Sequence, residues 1–287
     1  MPVVGFIDTR GKRVRFADIA KGAGAWELPR PFLRALASGY RAADHYGSTD
    51  VVSVTTLGNP VRQTRLLQRH EVFVDPLRSM WAMFGTIGHS ILERAALEED
   101  DGLIAERRLV IDFEGQLVGG TFDLLERDGD IWIGRDYKVT GAYGVSKMKH
   151  EGVVEAKLEY AMQANVYRYM IARHDAMEVV DRGLVPFQHA GLVVSKWQLV
   201  AWSRDWSASK HSGSIKPVEL VDVPLISAER VENYLRQRIV EYKAAGMCDD
   251  DGLPKCSPDE MWHGRRCAQW CDAAEVCSQF NERKRTT

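Results

Sequence analysis

The segment over residues 106–140 constrains the fold of this 287-residue chain more than any other part of the sequence. It reads ERRLVIDFEGQLVGGTFDLLERDGDIWIGRDYKVT, in which runs of β-forming residues are separated by Glu114-Gly115 and Asp128-Gly129. Short β-rich runs joined by such pairs are typical of tight antiparallel turns. The segment therefore predicts a meander of three antiparallel strands.

Amphipathic helices are predicted on both sides of the meander. Apolar residues recur there at spacings of three and four, which is the helical period, and Ser227 is placed to cap the last helix. The predicted elements are helices over residues 78–99, 151–172 and 228–245, and a strand or hairpin over residues 189–203. This order of elements predicts an α/β fold with a mixed sheet.

The chain is divided here into an N-terminal extension (1–55), a core (56–247) and a Cys-rich segment with a basic tail (248–287). It has no apolar run of roughly 18 residues that could span a membrane and no secretory signal, so we expect a cytoplasmic protein without a membrane partner. The formal charge of −2 excludes a globally basic nucleic-acid binder. A local basic groove stays compatible with this charge.

Two carboxylates are predicted to meet at neighbouring strand ends of the meander. Asp136 and Lys138 are two apart on a strand and project from one face. Asp123 follows Gly119 and Gly120 one strand earlier, and antiparallel pairing would bring it near Asp136. Paired carboxylates repel each other unless a cation neutralises them, so the pattern suits Mg²⁺ or Mn²⁺ and phosphodiester hydrolysis. A charged hairpin end is the alternative interpretation.

Further polar residues lie on the helices that flank the meander. FGTIGHSILE carries His89, and YAMQANVYRYM carries Gln163 and Tyr167 on one helical face. In order, G-x-x-x-H, G-G-x-x-D, D-x-K and Q-x-x-x-Y resemble the PD-(D/E)XK nuclease superfamily, in its RecB-like, CRISPR-associated-exonuclease-like branch with phage-type members. The resemblance covers residues 55–277. It implies a restriction-endonuclease-like core with a mixed central sheet flanked by helices.

The resemblance also implies residue roles. The implied catalytic residues are His89, Asp123, Asp136, Lys138, Gln163 and Tyr167. The implied metal ligands are His89, Asp123, Asp136 and the carbonyl of Tyr137. Lys138 would orient or deprotonate the attacking water, and Gln163 and Tyr167 would shape the site and contact DNA. Glu106 is a further acidic candidate for the site. An exposed glutamate at a strand end, without a role in the site, is an equally good interpretation.

All the cysteines lie near the C-terminus, and an odd, one-sided set in an intracellular chain predicts a metal site rather than disulfides. They are Cys248, Cys256, Cys267, Cys271 and Cys277. On ligand count, zinc and a [4Fe-4S] cluster fit equally well, and free thiols on a partly ordered tail are the alternative. RecB-like nucleases with a C-terminal cysteine run resemble this tail, which implies an iron–sulfur cluster.

The expected cluster ligands are Cys256, Cys267, Cys271 and Cys277. Relatives with such a tail usually take one ligand from upstream of the histidine motif, where this chain has no cysteine. Cys256 is therefore assigned as the fourth ligand. Cys248 or His263 would be its substitutes.

A stretch after the core strand combines tryptophans with basic residues, as single-strand nucleic-acid channels do. The predicted DNA-binding residues are Trp202, Arg204, Trp206 and Lys210. Core tryptophans beside a solvated loop would give the same composition. The basic end over residues 281–285 would form a tail that touches DNA. A Walker A motif is absent from the sequence, which favours a nuclease without a helicase motor.

Together these features predict a divalent-metal-dependent DNA exonuclease acting in recombination, repair or phage DNA processing. A structure-specific or CRISPR-associated endonuclease on the same core is the alternative enzyme, and it would cut circular DNA. A catalytically inactive DNA-binding scaffold would cut neither form. The resemblance also implies a single-strand annealing or recombination protein as a partner.

Overall fold

The computed structural model describes residues 3–42, 50–97 and 102–286. Its strands are β1 (Val3–Ile7), β2 (Arg13–Arg15), β3 (Val52–Ser53), β4 (Val72–Val74), β5 (Leu103–Phe113), β6 (Gln116–Asp128), β7 (Ile131–Thr140), β8 (Met177–Val180), β9 (Gly183–Pro186), β10 (Val194–Ser203) and β11 (Val218–Asp222).

The helices range from single turns to more than five turns. They are α1 (Phe16–Ala20), α2 (Arg30–Ala42), α3 (Val54–Gly58), α4 (Val61–Arg69), α5 (Pro76–Leu97), α6 (Ala142–Glu151), α7 (Val153–Ala156), α8 (Leu158–Ala172), α9 (Ala208–His211), α10 (Ala228–Gly246), α11 (Arg265–Gln269) and α12 (Ser278–Thr286). Short 3₁₀ turns precede and follow α11, at Trp262–Gly264 and Ala274–Val276.

The larger sheet contains the predicted meander. In the described part of the chain it has eight strands, in the order β11-β10-β7-β6-β5-β8-β9, with β3 paired to β6. β5, β6 and β7 pair antiparallel through the two predicted turns. β10 pairs with β7 in parallel, with Val200 opposite Tyr137, which makes the sheet mixed. The predicted α/β fold with a mixed sheet is confirmed.

Helix α8 packs on the strands β5, β7 and β10 of this sheet. Its buried residues include Val166 and Met170, and the sheet contributes Phe122, Leu125 and Trp197, all fully buried. Removing such side chains from water supplies most of the favourable free energy of folding, at about 1.5–3 kcal/mol for each large apolar residue. This core fixes the positions of the strands that carry the acidic residues.

A second, smaller sheet has the strand order β2-β1-β4. β1 pairs in parallel with β4, so that Phe6 lies opposite Val74. Phe6, Leu33 and Leu36 are buried in the core beneath this sheet. Within the predicted N-terminal extension over residues 1–55, β1, β2, α1 and α2 thus belong to this packed region, whereas β3 pairs with β6 of the larger sheet.

The chain forms two compact units, each built from separated segments. One comprises residues 1–47, 59–86 and 238–287, and the other comprises residues 48–58 and 87–237. The predicted boundaries at residues 55 and 247 divide the chain into consecutive segments. Each compact unit instead combines segments that are separated in the sequence, as the pairing of β1 with β4 illustrates. Among the described residues, every helix is too short or too polar to span a lipid bilayer.

Two predicted helices differ from the structure in informative ways. The helix predicted over 151–172 is divided, because Gly152 adopts a φ of 95° and ends α6, and Lys157 separates the single turn α7 from α8, which begins at Leu158. Such a φ is outside the helical region and favours glycine. The helix predicted over 78–99 is present as α5, but Phe84 is 46% exposed and Ile91 is 52% exposed. Its apolar period therefore does not mark a fully buried face.

Candidate active site

Asp123 and Asp136 lie within β6 and β7, at the point where the pairing of the two strands ends and not at the strand ends that the sequence predicts. The ladder runs to Leu124 opposite Arg135, one residue short of the two acids. The backbone N–H of Tyr137 donates to Asp123 Oδ2 at 2.6 Å. Asp123 is 8% exposed and Asp136 is 3% exposed. The meander thus holds two buried carboxylates side by side, as its turns predict.

His89 and Glu106 complete a set of ligand atoms around Asp123. Nδ1 of His89 lies 3.4 Å from Oε1 of Glu106 and 3.6 Å from Oδ1 of Asp123. One ligand atom from each of these three residues lies within 4.8 Å of the other two. His89 reaches this point from α5, Glu106 from β5 and Asp123 from β6. We call these three residues the His-Glu-Asp set.

Glu106 has a strained backbone in the middle of a strand. Its φ is 51°, in the left-handed region that few non-glycine residues adopt. The ladder pairs Ala105 with Leu124 and Arg107 with Phe122, so Glu106 lies across from Asp123. Local strain of this kind, of order 1–3 kcal/mol, persists where the surrounding structure enforces it and is concentrated at functional sites.

The electrostatics of the site reflect crowded acids. Burial, and then the neighbouring charge of Asp136, raises the pKa of Asp123 to about 7. The hydrogen bond with Glu106 raises the pKa of His89. Burial opposes the charge on Lys138, but the carboxylates of Asp136 and Asp123 outweigh it and raise its pKa. Nζ of Lys138 forms an ion pair with Asp136 Oδ2 at 2.6 Å.

The donor set fits a hard divalent cation. Carboxylate oxygens with one imidazole nitrogen suit Mn²⁺, and carboxylates with water suit Mg²⁺. A cation at this point would neutralise Asp123, whose charge is otherwise opposed by burial and by Asp136. Asp136 lies beside this set and contacts Lys138. The carbonyl of Tyr137 lies 3.3 Å from Nε2 of His89, where it accepts a hydrogen bond when that nitrogen carries the proton.

The residues predicted on the following helix lie close to the same strands. Nε2 of Gln163 donates to the hydroxyl of Tyr167 at 3.4 Å and to Thr55 Oγ1 at 3.5 Å. Tyr167 is buried, and its ring approaches Gly120 so closely that a Cβ there would lie 2.7 Å from it. Gly120, three residues before Asp123, is therefore needed for the close approach of Tyr167.

Sequence reasoning missed one aromatic residue near Lys138. The ring of Tyr160 lies 5.2 Å from Nζ of Lys138, within the range of a cation–π contact. Tyr160 precedes Gln163 by three residues on α8, and this spacing places both on one helical face. That spacing was the available signal, although a tyrosine at i, i+3 is common on helices.

The predicted DNA-contacting residues have different environments. Trp202 is half-buried, and its ring lies against Gly88, where a Cβ would come within 3.0 Å of it. Trp206 is half-buried and donates Nε1–H to the carbonyl of Ile215 at 2.9 Å. Arg204 is half-buried and Lys210 is exposed. The basic side chains of Arg283–Arg285 lie outside the described residues.

The four predicted cluster cysteines line one cavity. They are Cys256, Cys267, Cys271 and Cys277. Burial raises the pKa of Cys256 to about 12 and that of Cys271 to about 11, so these thiols are neutral near pH 7 without a metal. The suggested substitutes do not line this cavity: Cys248 contacts the carbonyl of Ala244, and His263 is exposed.

The spacing of the thiols bears on which metal they fit. In a tetrahedral zinc site with Zn–S bonds of about 2.3 Å, the sulfurs lie about 3.8 Å apart. Among the described residues, no three cysteine sulfurs all lie within 4.8 Å of one another. Four soft thiol donors around one cavity suit zinc or an iron–sulfur cluster, and their sulfurs lie further apart than in a closed zinc site.

Comparison with known proteins supports the geometric reading. The model of the PD-(D/E)XK nuclease superfamily matches residues 89–278, more than half of the chain. No curated protein matches. A solved structure titled "Crystal structure of SSO0001" is similar, with a TM-score of 0.51 and 16% sequence identity over 85% of this chain and 94% of that chain. Similarity at this identity concerns the fold alone.

The family match begins at His89 and includes both aspartates, Lys138 and all four cavity cysteines. The observed α/β architecture, with a mixed sheet flanked by helices, is that of a restriction-endonuclease-like core. The chain therefore belongs to the PD-(D/E)XK nuclease superfamily, whose members are metal-dependent nucleases.

Proposed function

We propose that this protein is a divalent-metal-dependent DNA exonuclease that hydrolyses phosphodiester bonds. The observation that carries the proposal is the His-Glu-Asp set, with the ion pair of Asp136 and Lys138 beside it. We assign His89, Glu106 and Asp123 as metal ligands and Asp136 as a further acidic ligand that the adjacent strand supplies. Glu106 enters this assignment because of its position opposite Asp123.

A bound Mg²⁺ or Mn²⁺ ion would polarise the scissile phosphate and lower the pKa of the attacking water. The residues of the chain would provide positioning. Lys138, held by Asp136, would orient the water and stabilise negative charge on the phosphate. The backbone N–H of Tyr137 keeps Asp123 in place. Tyr137 thus contributes two backbone groups to the site. Its N–H contacts Asp123, and its carbonyl contacts Nε2 of His89.

Contacts to DNA are assigned to groups around the site. Gln163 and Tyr167 would shape its wall, since they are hydrogen-bonded to each other on α8. Trp202, Arg204, Trp206 and Lys210 would contact single-stranded DNA through ring stacking and phosphate contacts. Trp197, which belongs to the same tryptophan-rich stretch, is fully buried and packs in the core.

The test is cleavage of end-labelled linear DNA, single- and double-stranded, beside a closed circle, with Mg²⁺ or Mn²⁺. Lys138→Ala and EDTA should abolish cleavage. Lys147→Ala is the matched control, because that lysine is partly exposed and pairs with Glu151 one turn later on α6. Degradation of linear DNA with an intact circle supports an exonuclease.

The same experiment separates the alternatives. Cutting of the closed circle by the wild type, but not by Lys138→Ala, would assign a structure-specific or CRISPR-associated endonuclease. Binding of DNA without cutting in either metal would assign an inactive scaffold. Equal cleavage by wild type and Lys138→Ala would contradict the role proposed for the ion pair.

We also propose that Cys256, Cys267, Cys271 and Cys277 bind a [4Fe-4S] cluster, with zinc as the alternative. The support is the one cavity that all four thiols line. Iron and acid-labile sulfide near four per chain in anaerobically purified protein, with a brown colour, is the expected result. Zinc without iron would contradict the iron–sulfur cluster. Absence of both metals from the purified protein would contradict the metal site.

The biological setting is proposed from the resemblance to RecB-like nucleases. We propose that the enzyme acts in the cytoplasm in DNA recombination, repair or phage DNA processing, with a single-strand annealing or recombination protein as partner. A complex that forms between purified proteins and increases strand degradation is the expected observation. Failure of annealing proteins to bind would contradict the partner.

A further inference from the structure

Arg62 is a buried cation held by uncharged acceptors. It lies on α4 and is 3% exposed. Nη1 donates to the carbonyl of Leu253 at 2.7 Å, Nη2 donates to Ser278 Oγ at 2.7 Å, and Nε donates to Cys277 Sγ at 3.4 Å. Each edge of the guanidinium thus has an acceptor.

A buried guanidinium without a counter-charge is costly, because burial removes its hydration. Among the described residues, none of the carboxylates forms an ion pair with Arg62. Glu241 and Glu260 line a neighbouring cavity together with Arg62, but Glu241 pairs with Arg238, and Glu260 accepts the backbone N–H of Ser257. Neither acid therefore contacts the guanidinium of Arg62 directly.

The cavity of the cysteines offers the missing negative charge. Arg62 lines it together with Cys256, Cys267, Cys271 and Cys277. Four thiolates bring more negative charge than a zinc ion neutralises, and an iron–sulfur core with four thiolates is likewise anionic. The guanidinium already points one N–H at the sulfur of Cys277. Its remaining N–H groups anchor it to the chain that surrounds the cysteines.

We propose that Arg62 is a positioning residue of the cysteine site, which orients Cys277 by an N–H···S hydrogen bond and compensates the net negative charge of the metal–thiolate group. This inference rests on the proposed metal binding by the four cysteines. For an iron–sulfur cluster, a positive charge and a hydrogen bond to sulfur favour the reduced form and raise the reduction potential. For zinc, the same contacts favour retention of the ion.

The test compares the wild-type full-length chain with Arg62→Gln, Arg62→Lys and Arg69→Gln, all purified anaerobically. Arg69 is the matched control, since it lies on the same helix and pairs with Asp250 away from the cavity. Iron, sulfide and zinc per chain, loss of metal to a chelator and the reduction potential are measured. We expect Arg62→Gln to lose metal about tenfold more readily and to shift the potential to more negative values.

Arg62→Lys should give an intermediate potential, because it keeps the charge and loses the planar fork. Arg69→Gln should match the wild type. Thermal unfolding of metal-loaded and metal-stripped protein separates charge compensation from packing. Charge compensation predicts a larger loss of stability for the loaded Arg62→Gln protein than for the stripped one, and an equal loss in both would overturn the inference.

Three further outcomes have distinct meanings. If the wild type holds metal, but the Arg62 variants that fold keep its retention and potential, the role of Arg62 is wrong and the cysteine site stands. If the wild type holds neither iron nor zinc, the proposed cysteine site fails and the inference fails with it. If Arg62→Gln does not fold, metal retention and the reduction potential of Arg62→Lys test the hydrogen bond to Cys277, and values equal to the wild type would overturn the inference.

Discussion

The carboxylate site and the cysteine site of this chain are built in opposite ways. The carboxylate site takes residues from α5 and from strands β5, β6 and β7, and the strand register sets their spacing. The cysteine site takes its residues from 256–277, a segment of single turns and one short helix. Within that segment, Trp262 and His263 have φ values of 48° and 55°.

This difference predicts different roles for metal in the two regions. A sheet with a packed core holds its strand ends without a ligand, and helices of a few residues have little stability of their own. Binding energy at a structural metal site is available to the folding of the segment around it. The carboxylate site is therefore expected to be formed before metal binds. The folded structure of the cysteine segment is expected to depend on the metal that its thiols bind.

Metal removal gives the largest expected effect. Stripping the protein with a strong chelator should lower the opening free energy of residues 256–277 by several kcal/mol, because the thiols lose their shared ligand. Strands β5 to β7 should keep their protection. Hydrogen exchange with mass spectrometry measures both regions in one sample. Equal loss of protection in both regions would contradict the expectation that only the cysteine segment depends on metal for its stability.

Replacing Asp123 by Asn should lower cleavage by about 10³-fold, because the metal loses a charged ligand worth several kcal/mol. The amide oxygen can still accept the N–H of Tyr137, so the sheet should remain folded. Single-turnover cleavage of linear DNA measures the effect. Asp130→Asn, at an exposed turn position, is the control and should be as active as the wild type. Full activity of the Asp123 variant would remove this residue from the site.

Glu106→Gln tests the residue that the structure adds to the ligand set. We expect cleavage or metal affinity to fall about 10–100-fold, the range seen when a group that supports a metal site is lost. Glu114→Gln is a close control, because Glu114 also lies on a left-handed backbone, with a φ of 53°, and pairs with Arg236 at the surface. If a titration with Mn²⁺ shows equal affinities in both variants, Glu106 is only a strand residue.

Gly120→Ala should give the smallest effect, a loss of about 1–3 kcal/mol in the free energy of unfolding. The new Cβ would lie 2.7 Å from the ring of Tyr167, which must move. Gly85→Ala is the control of opposite sign. It meets no atom within 4 Å on a helix and should be stabilising by about 0.5–1 kcal/mol. Denaturant unfolding measures both, and an unchanged Gly120→Ala protein would contradict the tight packing at Tyr167.

The parts of the site that the sequence predicted are those set by local pattern. The turn dipeptide Asp128-Gly129 determined the register of β6 and β7, and with it the approach of Asp123 to Asp136, while Glu114-Gly115 joined β5 to β6. The sequence left two interpretations of Glu106 open, because its position opposite Asp123 depends on a backbone irregularity that no residue type predicts. Tyr160 was missed for a similar reason, since its contact with Lys138 forms between separate elements.

The sequence predicted less of the smaller unit. β1, β2 and β4 have three to five residues each, too few for a clear period, and β1 pairs with a strand some seventy positions later. The spacing of the cysteines predicted a site, and the sequence could not show that Arg62 lines the same cavity. Long-range pairing and burial of a lone cation depend on the folded chain, not on a local motif.

The most direct test of the carboxylate site is the anomalous diffraction of crystals soaked in Mn²⁺. We expect a manganese peak bound by Nδ1 of His89 and by carboxylate oxygens of Glu106 and Asp123, which lie within reach of one ion. A peak at full occupancy elsewhere, with these three residues unchanged and unliganded in crystals whose protein cleaves DNA, would contradict the assignment of these residues as metal ligands.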